Sequence, residues 1–203
     1  MVKVKICGLR RPEDVETALE AGADYLGFIL YRKSPRYVGW ERVRELIRIG
    51  EGALKVAVLV NPSKEEVLKA LDLGFDLVQL HGEEDPSILE DAGANRVIKA
   101  FRVRDRVPEG IDEWRKAHAL LLDTYSENSY GGTGKTFSWE VARKVVDMGY
   151  RVFLAGGLNP GNVRRAVEEV RPYCVDVSSG VEISPGVKDK MKVWEFIKEA
   201  KSL

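Results

Sequence analysis

The chain has little that would suit it to a membrane, a nucleic acid or an oxidising compartment. No apolar run approaches the roughly 18 residues that a membrane-crossing helix needs. Lys plus Arg and Asp plus Glu balance at 32 each, and no long basic block interrupts the balance. That argues against a nucleic acid or a membrane surface as partner. Cysteine occurs twice, at Cys7 and Cys174, which is too few for a disulfide framework. A reducing, cytoplasmic setting is expected, and the first eight residues read as a strand, not as a signal peptide. Histidine is equally scarce. His81 and His118 are the only two, and His118 precedes a strand whose far end would carry the chemistry, so no metal site is expected. One Gln and five Asn stand against this heavy charge, a composition that looks thermophilic.

What the chain does have is alternation. Apolar, β-branched runs at residues 2–7, 25–30, 55–60, 77–81, 96–101, 119–123, 152–156 and 175–178 read as strands. Helical patterns fill the gaps at 11–21, 40–49, 63–73, 85–92, 111–117, 138–148, 160–170 and 187–201. Ser63 with Glu66 forms a capping box signature, Gly74 a stop, and Asn159 an N-cap. Eight units of about 25 residues predict a compact α/β fold with few insertions, a single-domain (β/α)8 TIM barrel over residues 1–203. A doubly wound open sheet is the alternative. The first strand lacks a following G-x-G-x-x-G, which favours the barrel.

Strand parity then sorts the side chains, because successive residues point to opposite faces. With the flanking valines and isoleucines facing the helices, Lys5 and Cys7 face the barrel axis. So do Gln79 and His81, Lys99 and Phe101, Leu121 and Asp123, and Cys174, Asp176 and Ser178. Cys7, His81, Asp123 and Ser178 fall at C-terminal strand ends, the rim where such barrels build active sites. Cys174 falls at the other end and reads as packing.

Cys7 ends a strand just before Gly8, and Asp123 ends a run of three leucines. A thiol lowered by nearby positive charge from Lys5 or Arg36 suits a general base. A carboxyl group near apolar walls suits a general acid. Glycine-bearing loops follow strands seven and eight, at Gly156-Gly157 and Ser179-Gly180. Those two places bind phosphate in barrels of this type. The run Gly131-Gly132-Thr133-Gly134-Lys135-Thr136 lacks the spacing of a nucleotide-binding P-loop and reads as a mobile active-site loop. Ser178 has no histidine and acid arranged to make it a nucleophile. Acid–base work on a phosphorylated small molecule is the expectation.

Seven motifs in order now carry a full-length resemblance. They are Lys5-Ile6-Cys7-Gly8, Ser34-Pro35-Arg36-Tyr37, Val78-Gln79-Leu80-His81-Gly82, Leu121-Leu122-Asp123-Thr124, the glycine run at 131–137, Ala155-Gly156-Gly157-Leu158 and Val175-Asp176-Val177-Ser178-Ser179-Gly180. In these the chain resembles the phosphoribosylanthranilate isomerases of tryptophan biosynthesis. The resemblance implies an Amadori rearrangement of a phosphoribosyl substrate, with no cofactor and no metal. It implies Asp123 as acid, Cys7 as base and Arg36 as clamp for the anthranilate carboxylate. His81, Asp176 and Ser178 would line the substrate, and Gly156, Gly157, Ser179 and Gly180 would hold its phosphate. It also implies a monomer or a homodimer. The competing readings are another phosphosugar isomerase on the same fold and a non-catalytic phosphate-binding barrel. A histidine-pathway Amadori isomerase would be expected to use paired aspartates in place of Cys7.

Overall fold

The computed structural model describes residues 1–123 and 137–203. Eight parallel strands close on themselves in sequence order: β1 (Lys3–Cys7), β2 (Tyr25–Ile29), β3 (Leu54–Leu59), β4 (Leu77–Leu80), β5 (Val97–Arg102), β6 (Ala119–Asp123), β7 (Val152–Ala155) and β8 (Cys174–Val177). Helices α1 (Pro12–Glu20), α2 (Trp40–Ile49), α3 (Lys64–Leu73), α4 (Ile88–Ala92), α5 (Phe137–Asp147), α6 (Val163–Val170) and α7 (Lys190–Lys201) cover the outside. The closed eight-stranded barrel is the expected fold, and it removes both sheet edges. The loop read from Gly131–Thr136, like Thr124, lies outside the described residues.

Local sequence explains most element ends. Ser63 caps α3 through the expected box: its hydroxyl accepts from Glu66 N–H, while the Glu66 carboxylate accepts from Ser63 N–H at 3.0 Å. Gly74, at φ 107°, ends the same helix in a left-handed turn. Pro12 opens α1, where its missing N–H costs nothing.

Two hydrophobic layers result. Inside the barrel, Tyr25, Val56, Leu77, Ile98, Ala119, Leu121, Phe153 and Cys174 pack together. Between strands and helices, Val4, Ile6, Leu26, Phe28, Val175 and Val177 belong to the larger outer layer.

Four local expectations give way. In β5 the parity is reversed. Ile98 is in register with Gln79 and shares its inward face, so Lys99 and Phe101 point to the helix layer. There the Lys99 ammonium meets Glu84 at 2.5 Å and the carbonyl of Gly82 at 2.6 Å. The fifth helix, expected at 111–117, is a single 3-10 turn over Ile111–Trp114, because the chain re-enters β6 within five residues. Helix α6 begins at Val163, with Asn159 making a tight turn ahead of it: Gly161 N–H donates to the Asn159 side chain at 2.9 Å. The last helix begins at Lys190, capped by Asp189. Val187 and Lys188, expected in its first turn, form instead the short strand β10 (Val187–Lys188), which pairs antiparallel with β9 (Glu182–Ser184).

Candidate active site

The C-terminal ends of the strands surround a cavity of about 310 Å³. It is lined by Cys7 from β1, Arg36 after β2, His81 after β4, Asp123 from β6, Gly156 and Gly157 after β7, and Asp176, Ser178, Ser179 and Gly180 in and after β8. All ten residues singled out from the sequence therefore meet in one place. A larger hollow of about 550 Å³ lies at the opposite end, beside Met1, Tyr173 and Leu203.

The position of Cys7 depends on two glycines. Gly27 in β2 is its neighbour in register, and a Cβ there would lie 2.8 Å from the Cys7 sulfur. Gly8, at φ 79°, turns the chain away from β1. A Cβ on Gly8 would lie 2.7 Å from Arg36 Cδ and 3.0 Å from Ser178 Oγ. The glycine therefore lets both side chains close over the end of β1. The Cys7 thiol is not lowered as its charged neighbours suggest in the sequence: burial pushes it up. The charge on Lys5 opposes this, nearby Asp176 adds to it, and Lys188 opposes it more weakly. Cys174, in the barrel interior, is pushed well up by burial and is an inert packing group.

Lys5 lies beneath the cavity and is fully buried. Its ammonium stands 2.9 Å from Asp176 Oδ1 and donates to Gln79 Oε1 at 2.7 Å. Burial, the largest single influence, works against its charge, but Asp176 and Cys7 together outweigh it and hold Lys5 protonated. Gln79 Nε2 lies 3.2 Å from His81 Nδ1. Burial pushes the His81 pKa down. Asp123 opposes burial, Lys5 reinforces it, and the ring is neutral at pH 7.

A second charged group closes the other side. Arg36 lies between Ser34, whose hydroxyl accepts its backbone N–H, and Tyr37, which bridges to Ile29. Its guanidinium grips Glu182 with two parallel bonds, Nε to Oε1 at 2.9 Å and Nη2 to Oε2 at 2.7 Å. Glu182 Oε1 also accepts from Lys188 Nζ at 2.9 Å. That ammonium donates in addition to the carbonyl of Cys7 at 2.5 Å and of Ser178 at 3.1 Å. Burial pushes the Glu182 carboxyl up, but Arg36 and Lys188 outweigh it and hold the group below the usual range. The β9–β10 ribbon thus fixes Arg36 and ties the ends of β1 and β8 together.

Sequence reasoning missed Glu182, Lys188 and Gly27. Glu182 follows directly on the Ser178–Val181 run, whose Ser178, Ser179 and Gly180 alone carry a signal in the sequence. Among the described residues no group of three or more His, Cys, Asp and Glu could hold a metal ion. No helix there is long and apolar enough to cross a membrane.

A family model described as N-(5'-phosphoribosyl)anthranilate (PRA) isomerase matches residues 4–199. An N-(5'-phosphoribosyl)anthranilate isomerase of Aquifex aeolicus is 54% identical over 204 residues, covering all of both chains. The phosphoribosyl anthranilate isomerase structure from Thermotoga maritima superposes with a TM-score of 0.85 at 41% identity, again over the whole of both chains. A further structure of such an isomerase, at TM-score 0.84, 37% identity and full coverage of both chains, holds reduced 1-(o-carboxyphenylamino)-1-deoxyribulose 5-phosphate. With its barrel, its length and nearly all its residues matched, this chain belongs to the N-(5'-phosphoribosyl)anthranilate isomerase family.

Proposed function

We propose that Asp123 is the general acid and Cys7 the general base of the reaction this chain catalyses. That reaction is the Amadori rearrangement of N-(5-phosphoribosyl)anthranilate to 1-(2-carboxyphenylamino)-1-deoxyribulose 5-phosphate, in tryptophan biosynthesis. The observation that carries the assignment is that Cys7 and Asp123 end different strands, β1 and β6, and line the same cavity. Asp123 donates a proton to the ring oxygen of the ribose. The lone pair on the anilinic nitrogen opens the ring, and an iminium forms. Cys7 as thiolate removes the proton from C2′, and the resulting enolamine tautomerises to the ketone. The substrate nitrogen supplies the electron push, so the chain works as a cofactor-independent enzyme. Each proton transfer contributes roughly 10²–10⁴-fold.

Arg36 binds the anthranilate carboxylate. Glu182 takes its Nε–Nη2 edge, so the remaining Nη1 end meets the substrate. Backbone N–H groups of Gly156, Gly157, Ser179 and Gly180 hold the phosphate. The two loops approach so closely that a Cβ on Gly180 would lie 1.9 Å from the carbonyl oxygen of Leu158. His81, Asp176 and Ser178 face the sugar. The enzyme works in the cytoplasm as a monomer or homodimer.

The test is an assay with freshly made phosphoribosylanthranilate that follows the loss of anthranilate fluorescence. Cys7→Ser and Asp123→Asn keep size but not acid–base strength. Each should lose about two decades or more in kcat with little change in KM. Turnover near that of the parent in either variant would remove that residue from the mechanism.

A further inference from the structure

Beneath the cavity, three side chains touch in series in an order that only one arrangement of hydrogens satisfies. Lys5 Nζ is a donor without acceptor capacity, and it stands 2.7 Å from one end of the Gln79 amide. That end must be the carbonyl oxygen. Turning the amide over would set two donors against each other at a site where Gln79 is 2% exposed and no water could relieve the clash. With Oε1 committed to Lys5, the amide nitrogen faces His81 Nδ1 at 3.2 Å. An N–H there requires an acceptor, so Nδ1 carries no proton. The ring hydrogen must then sit on Nε2, on the other side of the imidazole.

We propose that Lys5 and Gln79 lock His81 as a neutral ring with its proton on Nε2, a preset donor facing the sugar oxygens beside Asp123. The proposal rests on the reading of this cavity as the isomerase site. It assigns His81 a defined task, not simple lining: a hydrogen bond to a substrate oxygen that gains or loses charge as the ring opens. A preset donor needs no reorganisation when that charge develops. Gln79 and Lys5 are positioning residues that act through His81. Asp176 keeps Lys5 charged and so belongs to the same chain of contacts. The groups with electrostatic influence on His81 are Asp123 and Asp176, which favour a second proton, and Lys5 and Arg102, which oppose it. Burial decides for the neutral ring.

The chain has two histidines, so a protein labelled with ¹⁵N in histidine alone gives two ring systems. His81→Asn identifies the signals of His81 by their loss. Long-range proton–nitrogen spectra of the free parent protein at pH 7 should show a protonated Nε2 and a bare Nδ1 for His81. Gln79→Glu is of equal size and still accepts from Lys5, but it offers His81 an acceptor in place of a donor. In that variant the proton should appear on Nδ1, with or without one on Nε2. Its kcat should fall at least tenfold, and Cys7 should remain open to alkylation as in the parent. Gln79→Leu, with no partner for either nitrogen, should give a mixture of the two neutral forms and an intermediate rate.

A parent protein with Nδ1 protonated, or with both forms exchanging, overturns the proposal even if no variant folds. So does Gln79→Glu with an unchanged tautomer, or with a changed tautomer and an unchanged rate. Neither spectrum requires turnover. The tautomer lock can therefore fail while the assignment of Cys7 and Asp123 stands, and the reverse.

Discussion

Gly27→Ala tests the placement of the reacting sulfur without altering any group that takes part in the chemistry. Position 27 sits in the middle of β2, beside Cys7 in register. A Cβ there would lie 2.8 Å from the Cys7 sulfur, 3.1 Å from Cys7 Cα and 3.1 Å from Lys5 Cε. Comfortable contacts between such atoms begin at about 3.5–4.0 Å. The sulfur must therefore retreat by roughly 1 Å, or β1 and β2 must part. The Lys5 stem is buried and paired with Asp176 and Gln79, so it has little freedom to yield. Overpacking of this kind costs about 1–3 kcal/mol. For a chain of this length each kcal/mol lowers Tm by about 2–4 °C. A misplacement near 1 Å in a catalytic group can cost about 100-fold in rate. Gly27→Ala should thus melt a few degrees lower, keep its far-ultraviolet circular dichroism at assay temperature, and lose about two decades in kcat. Fluorescence assay and thermal melt together separate misplacement from unfolding. A folded variant with kcat within twofold of the parent would refute the argument that the site of the sulfur is set by this glycine.

Glu182→Gln keeps the shape of the Arg36 partner but removes its charge, and should weaken binding of the carboxylated product by about 1–3 kcal/mol. Titration with a decarboxylated, aniline-derived analogue should show little change, and equal losses for both ligands would refute the role given to Arg36. Gly180→Ala should force the loops after β7 and β8 apart and raise KM at least tenfold, as steady-state kinetics would show; an unchanged KM would move the phosphate elsewhere. Iodoacetamide should modify Cys7 slowly at neutral pH. The thiol is pushed up from its ordinary value near 8.5, so the reactive thiolate is scarce at pH 7 and grows as pH rises through the raised value. Lys5→Met removes the largest charge opposing burial and should move the rate–pH midpoint further into the alkaline range; a midpoint below 8.5 in the parent would contradict the balance of burial and charge described for Cys7.

Much of the rim was legible because parity is local. Once Val175 and Val177 face the helices, Asp176 and Ser178 have no choice of side, and the same holds for Cys7 and Asp123. Parity failed in β5, where the register with β4 places Ile98 inward and Lys99 finds its partner in Glu84, fifteen positions upstream. A lysine in a strand says nothing by itself about which side holds a buried carboxylate. The ribbon at 182–188 was illegible for a different reason. Its strands are three and two residues long, below any periodicity. Its meaning lies in contacts across 146 positions, from Arg36 to Glu182, and across 181, from Lys188 to Cys7. Gly27 gave no signal either, since a glycine within a strand does not announce which side chain needs its space.

The seam between β1 and β8 has a consequence for how the chain is made. Lys3 pairs with Cys174 and Ile6 with Val177, so the first strand finds its second neighbour only when the last strand has emerged. Until then the growing chain carries an open sheet edge on β1, with alternate backbone groups unpaired and able to recruit another strand. Lys188 comes later still, and its ammonium joins the carbonyls at the ends of both strands. A ribosome-bound chain stalled before β8 would lack both the seam and the salt bridge through which Glu182 steadies Arg36. Activity should therefore appear abruptly, once β8 and the β9–β10 ribbon have emerged, and the stalled chains should be the ones most in need of a chaperone.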